Sequence, residues 1–242
     1  MTETVPAEST SHPHEPHGNL GGKLNRLRAG VLGANDGIVS VAGIVVGVAG
    51  ATTDSTTIAT AGIAGLVAGA LSMAGGEYVS VSTQRDTERA QLRLEKQELK
   101  EMPEAEEREL AEIYEDKGLS ADLAADVARE LTEKDALQAH AEAELGIDPG
   151  NLTSPWQAAW ASLVAFTVGA LLPLLSIVWT PTSARVWACA SAVVVGLVLT
   201  GFVSAKLGDA RRGRAIARNV GVGALTMVVT YFVGVLFGTS VG

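Results

Sequence analysis

Five stretches of this chain are each long and apolar enough to cross a bilayer as a helix: Ala29–Ala51, Thr57–Val81, Trp156–Trp179, Ala184–Ala205 and Ala215–Gly238. A helix needs about 20 apolar residues to span the hydrocarbon. Irregular backbone cannot face lipid, because its N–H and C=O groups would go unpaired. The expected fold is therefore an all-α membrane protein with five transmembrane helices. Composition agrees: 47% of the 242 residues are hydrophobic but only 5% aromatic, an apolar excess rare in a soluble domain of this length. The polar, acidic N-terminus does not read as a cleaved leader. The single cysteine, Cys189, lies in the fourth span, so no disulfide framework is expected.

Basic residues predict the orientation. Lys23, Arg26 and Arg28 precede span one, Arg85, Arg89 and Arg93 follow span two, and Lys206, Arg211, Arg212, Arg214 and Arg218 join spans four and five. The remaining connections carry only Arg185. The positive-inside rule then places the N-terminus, the segment after span two and the 4–5 connection in the cytosol, and the C-terminus outside. Trp156 and Trp179, at the two ends of span three, suit interfacial anchors. With no organelle signal in view, the plasma membrane is the expected location.

Residues 84–150 differ from the rest. They hold 20 of the 27 acidic residues and carry a local net charge of −11, against +2 for the remainder. The segment is expected to form a cytosolic three-helix module between spans two and three. The first helix continues span two to about Lys100. Pro103 suits the first turn of a second helix, with acids following it. Lys117-Gly118 ends that helix, Ser120 caps a third that runs to about Leu145, and Asp148-Pro149-Gly150 turns into span three. Leu92, Leu99, Leu110, Ile113, Leu119, Leu123, Val127, Leu131 and Leu137 form a thin apolar seam, so packing against a second copy is expected. The implied division is 1–23 a disordered tail bearing His12, His14 and His17, then 24–83, 84–150 and 151–242. Nothing in the chain points to a nucleic-acid partner.

Two sets of polar residues carry chemistry. In the module, Glu95 and Glu98, and Glu106 and Glu109, are spaced i, i+3, while Glu142 and Glu144 end the third helix. Carboxylates on one helix face can converge on a hard or borderline divalent cation; a solvated acidic face is the plainer alternative. In the membrane, Asp36 lies eight residues after Arg28 and Glu77 eight before Arg85, so on antiparallel neighbours they sit at similar depth. Asn35 adds an amide oxygen, and Met73, one turn from Glu77, adds a thioether. An intramembrane carboxylate is costly unless it meets a partner, water or an ion. Metal and proton compete for such a group, which is the minimal chemistry of metal–proton exchange. An intramembrane aspartyl hydrolase would need two aspartates, and the spans supply one credible candidate, so no enzyme is expected. Gly33-xxx-Gly37, Gly43-xxx-Gly47 and Gly65-xxx-Gly69 predict close helix packing.

The strings Arg28-Ala-Gly-Val-Leu-Gly-Ala-Asn-Asp-Gly-Ile-Val-Ser40 and Ser72-Met-Ala-Gly-Gly-Glu-Tyr-Val-Ser-Val81 resemble the vacuolar iron transporter family. Gly169-Ala-Leu-Leu-Pro-Leu-Leu175 and Thr230-Tyr-Phe-Val-Gly234 are similar to it more weakly. The resemblance runs from Leu24 to Gly238. It implies a five-helix homodimer that exchanges Fe(II) or Mn(II) for protons and moves the metal out of the cytosol. It also implies that Asp36 and Met73 line the path, and that Glu95, Glu98, Glu106, Glu109 and Glu144 bind metal in a cytosolic insertion. Where the family can carry methionines before its Glu-Leu-Gly, this chain has His140-Ala141, and His140 is the expected substitute ligand. The rival reading is a membrane-anchored metal sensor or buffer without transport.

Overall fold

The computed structural model describes residues 20–208 and 210–241, with side chains over 29–208 and 210–238. The histidines at positions 12, 14 and 17 lie outside the described residues. Those described form seven helices and no strand: α1 (Leu20–Ala51), α2 (Ser55–Glu101), α3 (Pro103–Asp116), α4 (Ala121–Ala143), α5 (Pro155–Trp179), α6 (Arg185–Leu207) and α7 (Arg212–Val241). Five of them, α1, α2, α5, α6 and α7, are long and apolar enough to cross a membrane, as the hydropathy pattern predicts.

α1 is the hub, packing against α2, α5, α6 and α7. Its Val41, Ala42 and Val45 are wholly buried, in one core with Ile58, Phe166, Leu174, Cys189, Val193 and Leu197. Glycines make this possible. A Cβ on Gly37 would overlap the Phe166 carbonyl of α5, and one on Gly169 the Ala34 carbonyl of α1. Further along, a Cβ on Gly234 of α7 would overlap the carbonyl of Gly47. Backbone thus meets backbone on two sides of α1, the contact that small-residue faces permit.

Connections fix the two ends of the bundle. Trp156, opening α5, packs against Tyr78 of α2 with ring centroids 4.8 Å apart and ring planes tilted by 53°. At the opposite end Arg185, only 5% exposed, donates to the Thr53 carbonyl (3.3 Å), Ser55 Oγ (3.1 Å) and Thr182 Oγ1. This one side chain ties the α1–α2 turn to the α5–α6 turn. Trp156 and Trp160 at one end of the bundle, and Trp179 and Trp187 at the other, are all exposed.

α2 has 47 residues, about 70 Å at 1.5 Å per residue, and is continuous from the bundle into the acidic segment. Among the described residues, α3 and α4 touch only each other and α2. Pro103 opens α3 at its first turn with Glu104 and Glu106 beside it. Gly118, at φ 101°, ends it, with the Leu119 N–H on the Tyr114 carbonyl and the Gly118 N–H on that of Glu115. These two bonds define a Schellman cap.

Three local expectations are corrected. Ser120 sits at the N-cap of α4, but its side chain makes no capping hydrogen bond. α4 is broken at Asp135 (φ −164°, ψ 92°), where the Asp135 carboxylate accepts from the Gln138 N–H and restarts the helix. The seam is built from alanine as much as leucine: Ala124, Ala128, Ala139 and Ala141 are buried with Leu110, whereas Leu123 is 52% exposed. Leucine-only periodicity overlooks helices that pack closely through methyl groups.

Candidate metal centre and intramembrane polar residues

Glu95 on α2, Glu106 on α3 and His140 on α4 come from three helices and are all buried. Periodicity brings them together. Leu110, one turn after Glu106, anchors α3 against Ala128 and Ala139 of α4, and His140 follows directly. Glu144, one turn beyond His140, reaches back over the ring. His140 Nδ1 lies 3.1 Å from Glu95 Oε1, 3.9 Å from Glu106 Oε2 and 4.0 Å from Glu144 Oε2. Glu95, His140 and Glu144 each offer a donor atom within 4.8 Å of the others.

Glu95 and Glu144 share a side-chain hydrogen bond, but three other polar atoms of this group are not paired by the protein. Glu95 Oε1 and both ring nitrogens of His140 are buried without a hydrogen bond. The 3.1 Å approach of Nδ1 to Glu95 is within ion-pair range but is not aligned as a hydrogen bond. Native interiors rarely leave three neighbouring polar atoms unsatisfied, and such atoms call for an ion, a water or a functional role.

The electrostatics agree. Burial, then the charges of Glu144 and Glu106, push the Glu95 carboxyl up from 4.5 to about 7. Burial, then Glu109 and Glu98, raises Glu106. Burial, then Glu109, raises Glu144. Burial lowers His140, against the pull of Glu144 and Glu109. A bound dication would reverse the carboxylate shifts. Three carboxylates and an imidazole suit a borderline divalent ion such as Fe(II), Mn(II) or Zn(II).

Glu98, half-buried, and Glu109, exposed, stand near enough to act on these neighbours through their charge. Glu142 is different. It is exposed and accepts a hydrogen bond from Gln138, outside the group around His140. Residues 140 and 144 share a helix face, whereas 142 is turned about 200° from 140. Glu142 therefore stands apart from His140 and Glu144 in this structure.

Asp36 is half-buried on α1 and takes a hydrogen bond from Ser40 Oγ at 2.8 Å. Ser40 was not singled out from the sequence, although its i+4 spacing from Asp36 carries the signal. Asn35 Oδ1 is buried and unpaired, and Ser162 on α5 is wholly buried with its hydroxyl unpaired. Met73 packs against the core. Glu77 is half-buried and, among the described residues, forms no ion pair.

Residues 27–235 match the VIT family. The chain is 42% identical over 228 residues to a protein of Acanthamoeba castellanii named "Vacuolar iron transporter", covering 93% of this chain and 84% of that one. It is 39% identical to "Vacuolar iron transporter homolog 1" of Oryza sativa subsp. japonica, over 88% of this chain and 74% of the relative. It is 35% identical to "VIT-like transporter 1b" of Glycine max, over 88% and 77%.

Proposed function

The chain belongs to the VIT family, and from that premise we propose that it is a membrane transporter, not an enzyme, which moves Fe(II) or Mn(II) out of the cytosol in exchange for protons. The observation that carries the metal reading is the meeting of buried Glu95, Glu106 and His140 with the more exposed Glu144, where Glu95 Oε1 and both His140 ring nitrogens are unpaired. The relatives' names, which specify iron, support the same cargo.

Residues 84–150 act as a cytosolic collector, whose surplus of carboxylates raises the local concentration of divalent ions. Glu95, Glu106, His140 and Glu144 form its inner site, with Glu98 and Glu109 at the rim. Asp36, Asn35, Met73 and Glu77 serve the passage through the membrane. Carboxylates that bind metal when ionised and protons when not supply the exchange. The basic flanks of α1, α2 and α7 favour a cytosolic N-terminus and an external C-terminus. The protein works as a homodimer; the outward face of α2, with Ile63, Val67, Leu71 and Val79 at least half exposed, supports this. Its location is the plasma membrane, which imaging of the full chain distinguishes from the vacuole of the relatives' names.

Purified protein in liposomes should move Fe(II) and Mn(II) faster when protons can flow the opposite way. Asp36→Ala should abolish that flux while ion binding at the collector persists. Full flux in Asp36→Ala would sink the pathway assignment. Binding without flux in the unaltered protein would leave a sensor or buffer instead.

A further inference from the structure

A second charged feature lies at the turn between α6 and α7, unrelated to the acidic group. Ala210, Arg211, Arg214, Ala215 and Arg218 line an open cavity of about 470 Å³. Arg214 and Arg218, four apart, share one face of α7, and Arg211 directly precedes the helix; all three are exposed. Ala215, 6% exposed, is the apolar floor. Close contact of α6 and α7 builds that floor: a Cβ on Gly201 would lie 2.9 Å from Ile216 Cα. Arg212 is held elsewhere, over the Phe202 ring at 5.2 Å.

Among the described residues, the cavity carries cations without a counter-charge. α7 has no acidic residue in its first turn, and among the described residues none of the three arginines forms an ion pair. Asp209, the only carboxylate of this connection, lies outside the described residues; with it counted, residues 206–218 carry a net charge of +4. The partial positive charge of a helix start adds to the guanidinium charges, so cations there repel the helix end. An anion relieves both repulsions. Guanidinium forks match phosphate oxygens two at a time. The cavity lies at the adjoining ends of the candidate membrane spans of α6 and α7, and the end of a membrane span meets the lipid headgroups. It lies at the same end of the bundle as Trp156 and the continuation of α2.

We propose that Arg211, Arg214 and Arg218 form a binding site for the phosphate of an anionic phospholipid headgroup. Three cations around one cavity favour a phosphomonoester dianion over a phosphodiester monoanion. The site rests on the bilayer placement of these helices and not on metal transport, so its test needs no metal.

The full chain is reconstituted in nanodiscs of phosphatidylcholine containing phosphatidic acid, and retained lipid is read by native mass spectrometry. Phosphatidic acid should be retained over phosphatidylcholine. Arg214→Gln should reduce that preference about tenfold, the loss of one charge-assisted pair. Arg212→Gln removes the same charge outside the cavity and should change it less than about twofold. Arg218→Gln repeats the test should Arg214→Gln fail to insert. Equal losses in the Arg212 and Arg214 variants would mean diffuse attraction to the membrane surface, and no preference would mean no site; either overturns the proposal. Inorganic phosphate is the last arm: if it displaces the lipid at equal concentration, the ligand is a soluble phosphate and the lipid assignment fails.

Discussion

Replacing His140 with leucine should make the ion-free protein more stable and deaf to metal. The ring is wholly buried with both nitrogens unpaired. A neutral imidazole carries one donor and one acceptor, so two hydrogen-bonding groups are left unsatisfied. Each such group costs about 1–3 kcal/mol. Leucine has a similar volume and no polar atom, and its imperfect fit returns about 1 kcal/mol. The net gain is about 1–5 kcal/mol in the ion-free state. Hydrogen exchange along α4 reads this locally, and 1.4 kcal/mol slows exchange through local opening about tenfold. Metal has the opposite effect on the comparison. At a hundred times its dissociation constant, an ion stabilises the unaltered site by about 2.7 kcal/mol, and the leucine variant should show little of this. In chelator the variant should therefore exchange more slowly than the parent, and Mn(II) at a hundred times its dissociation constant should slow exchange about a hundredfold in the parent and little in the variant. If leucine speeds exchange in chelator, the imidazole is holding the fold together. If the variant still gains protection from metal, the ring is no ligand. Either result refutes the reasoning.

Two further outcomes are expected. Glu95 titrates near 7 in the fold against 4.5 ordinarily, so its contribution to ion-free stability is full below 4.5 and is lost as pH rises through 7. His140, lowered by burial, works with the opposite sign, but only below about its ordinary 6.5. Between pH 6.5 and 8 the ion-free melting temperature should therefore fall, while Mn(II) affinity rises with proton release measurable by calorimetry in buffers of different ionisation enthalpy. In the membrane, Gly37→Ala would press a methyl group into the Phe166 carbonyl, costing about 1–3 kcal/mol and displacing Asp36 beside it. Its flux should drop at least tenfold, whereas Gly75→Ala, with nothing within 4 Å, should leave stability and flux near the parent values.

The helices and their ends were largely legible because their signals are local. Pro103 opens α3 through its fixed φ, while Gly118 closes it and Asp148 turns the chain toward α5 through hydrogen bonds that neighbouring residues decide. The break at Asp135 was also written locally, as an aspartate three residues before Gln138, but it hides inside a continuous helical pattern. Partnership was less legible. The glycine pairs of α1 announce a close approach, yet only the assembled bundle shows that Gly37 meets α5 and Gly47 meets α7. The acidic segment offered 20 carboxylates, and pair spacing alone could not rank them. Burial ranks them, and it depends on how α3 and α4 lean on α2. His140 lies among Glu95, Glu106 and Glu144, a grouping that pair spacing does not show.

The unbroken course of α2 has one more implication, for phase. Glu77 and Glu95 are eighteen residues apart, five whole turns and about 27 Å along the axis. They therefore share an azimuth, and Gln84 and Glu88, bonded to each other at 2.7 Å, fall close to the same line. The two sites lie on one meridian of a stiff rod. Any roll of α2 in the bilayer turns Glu95 by the same angle, and a single residue inserted between them would swing the sites about 100° out of register.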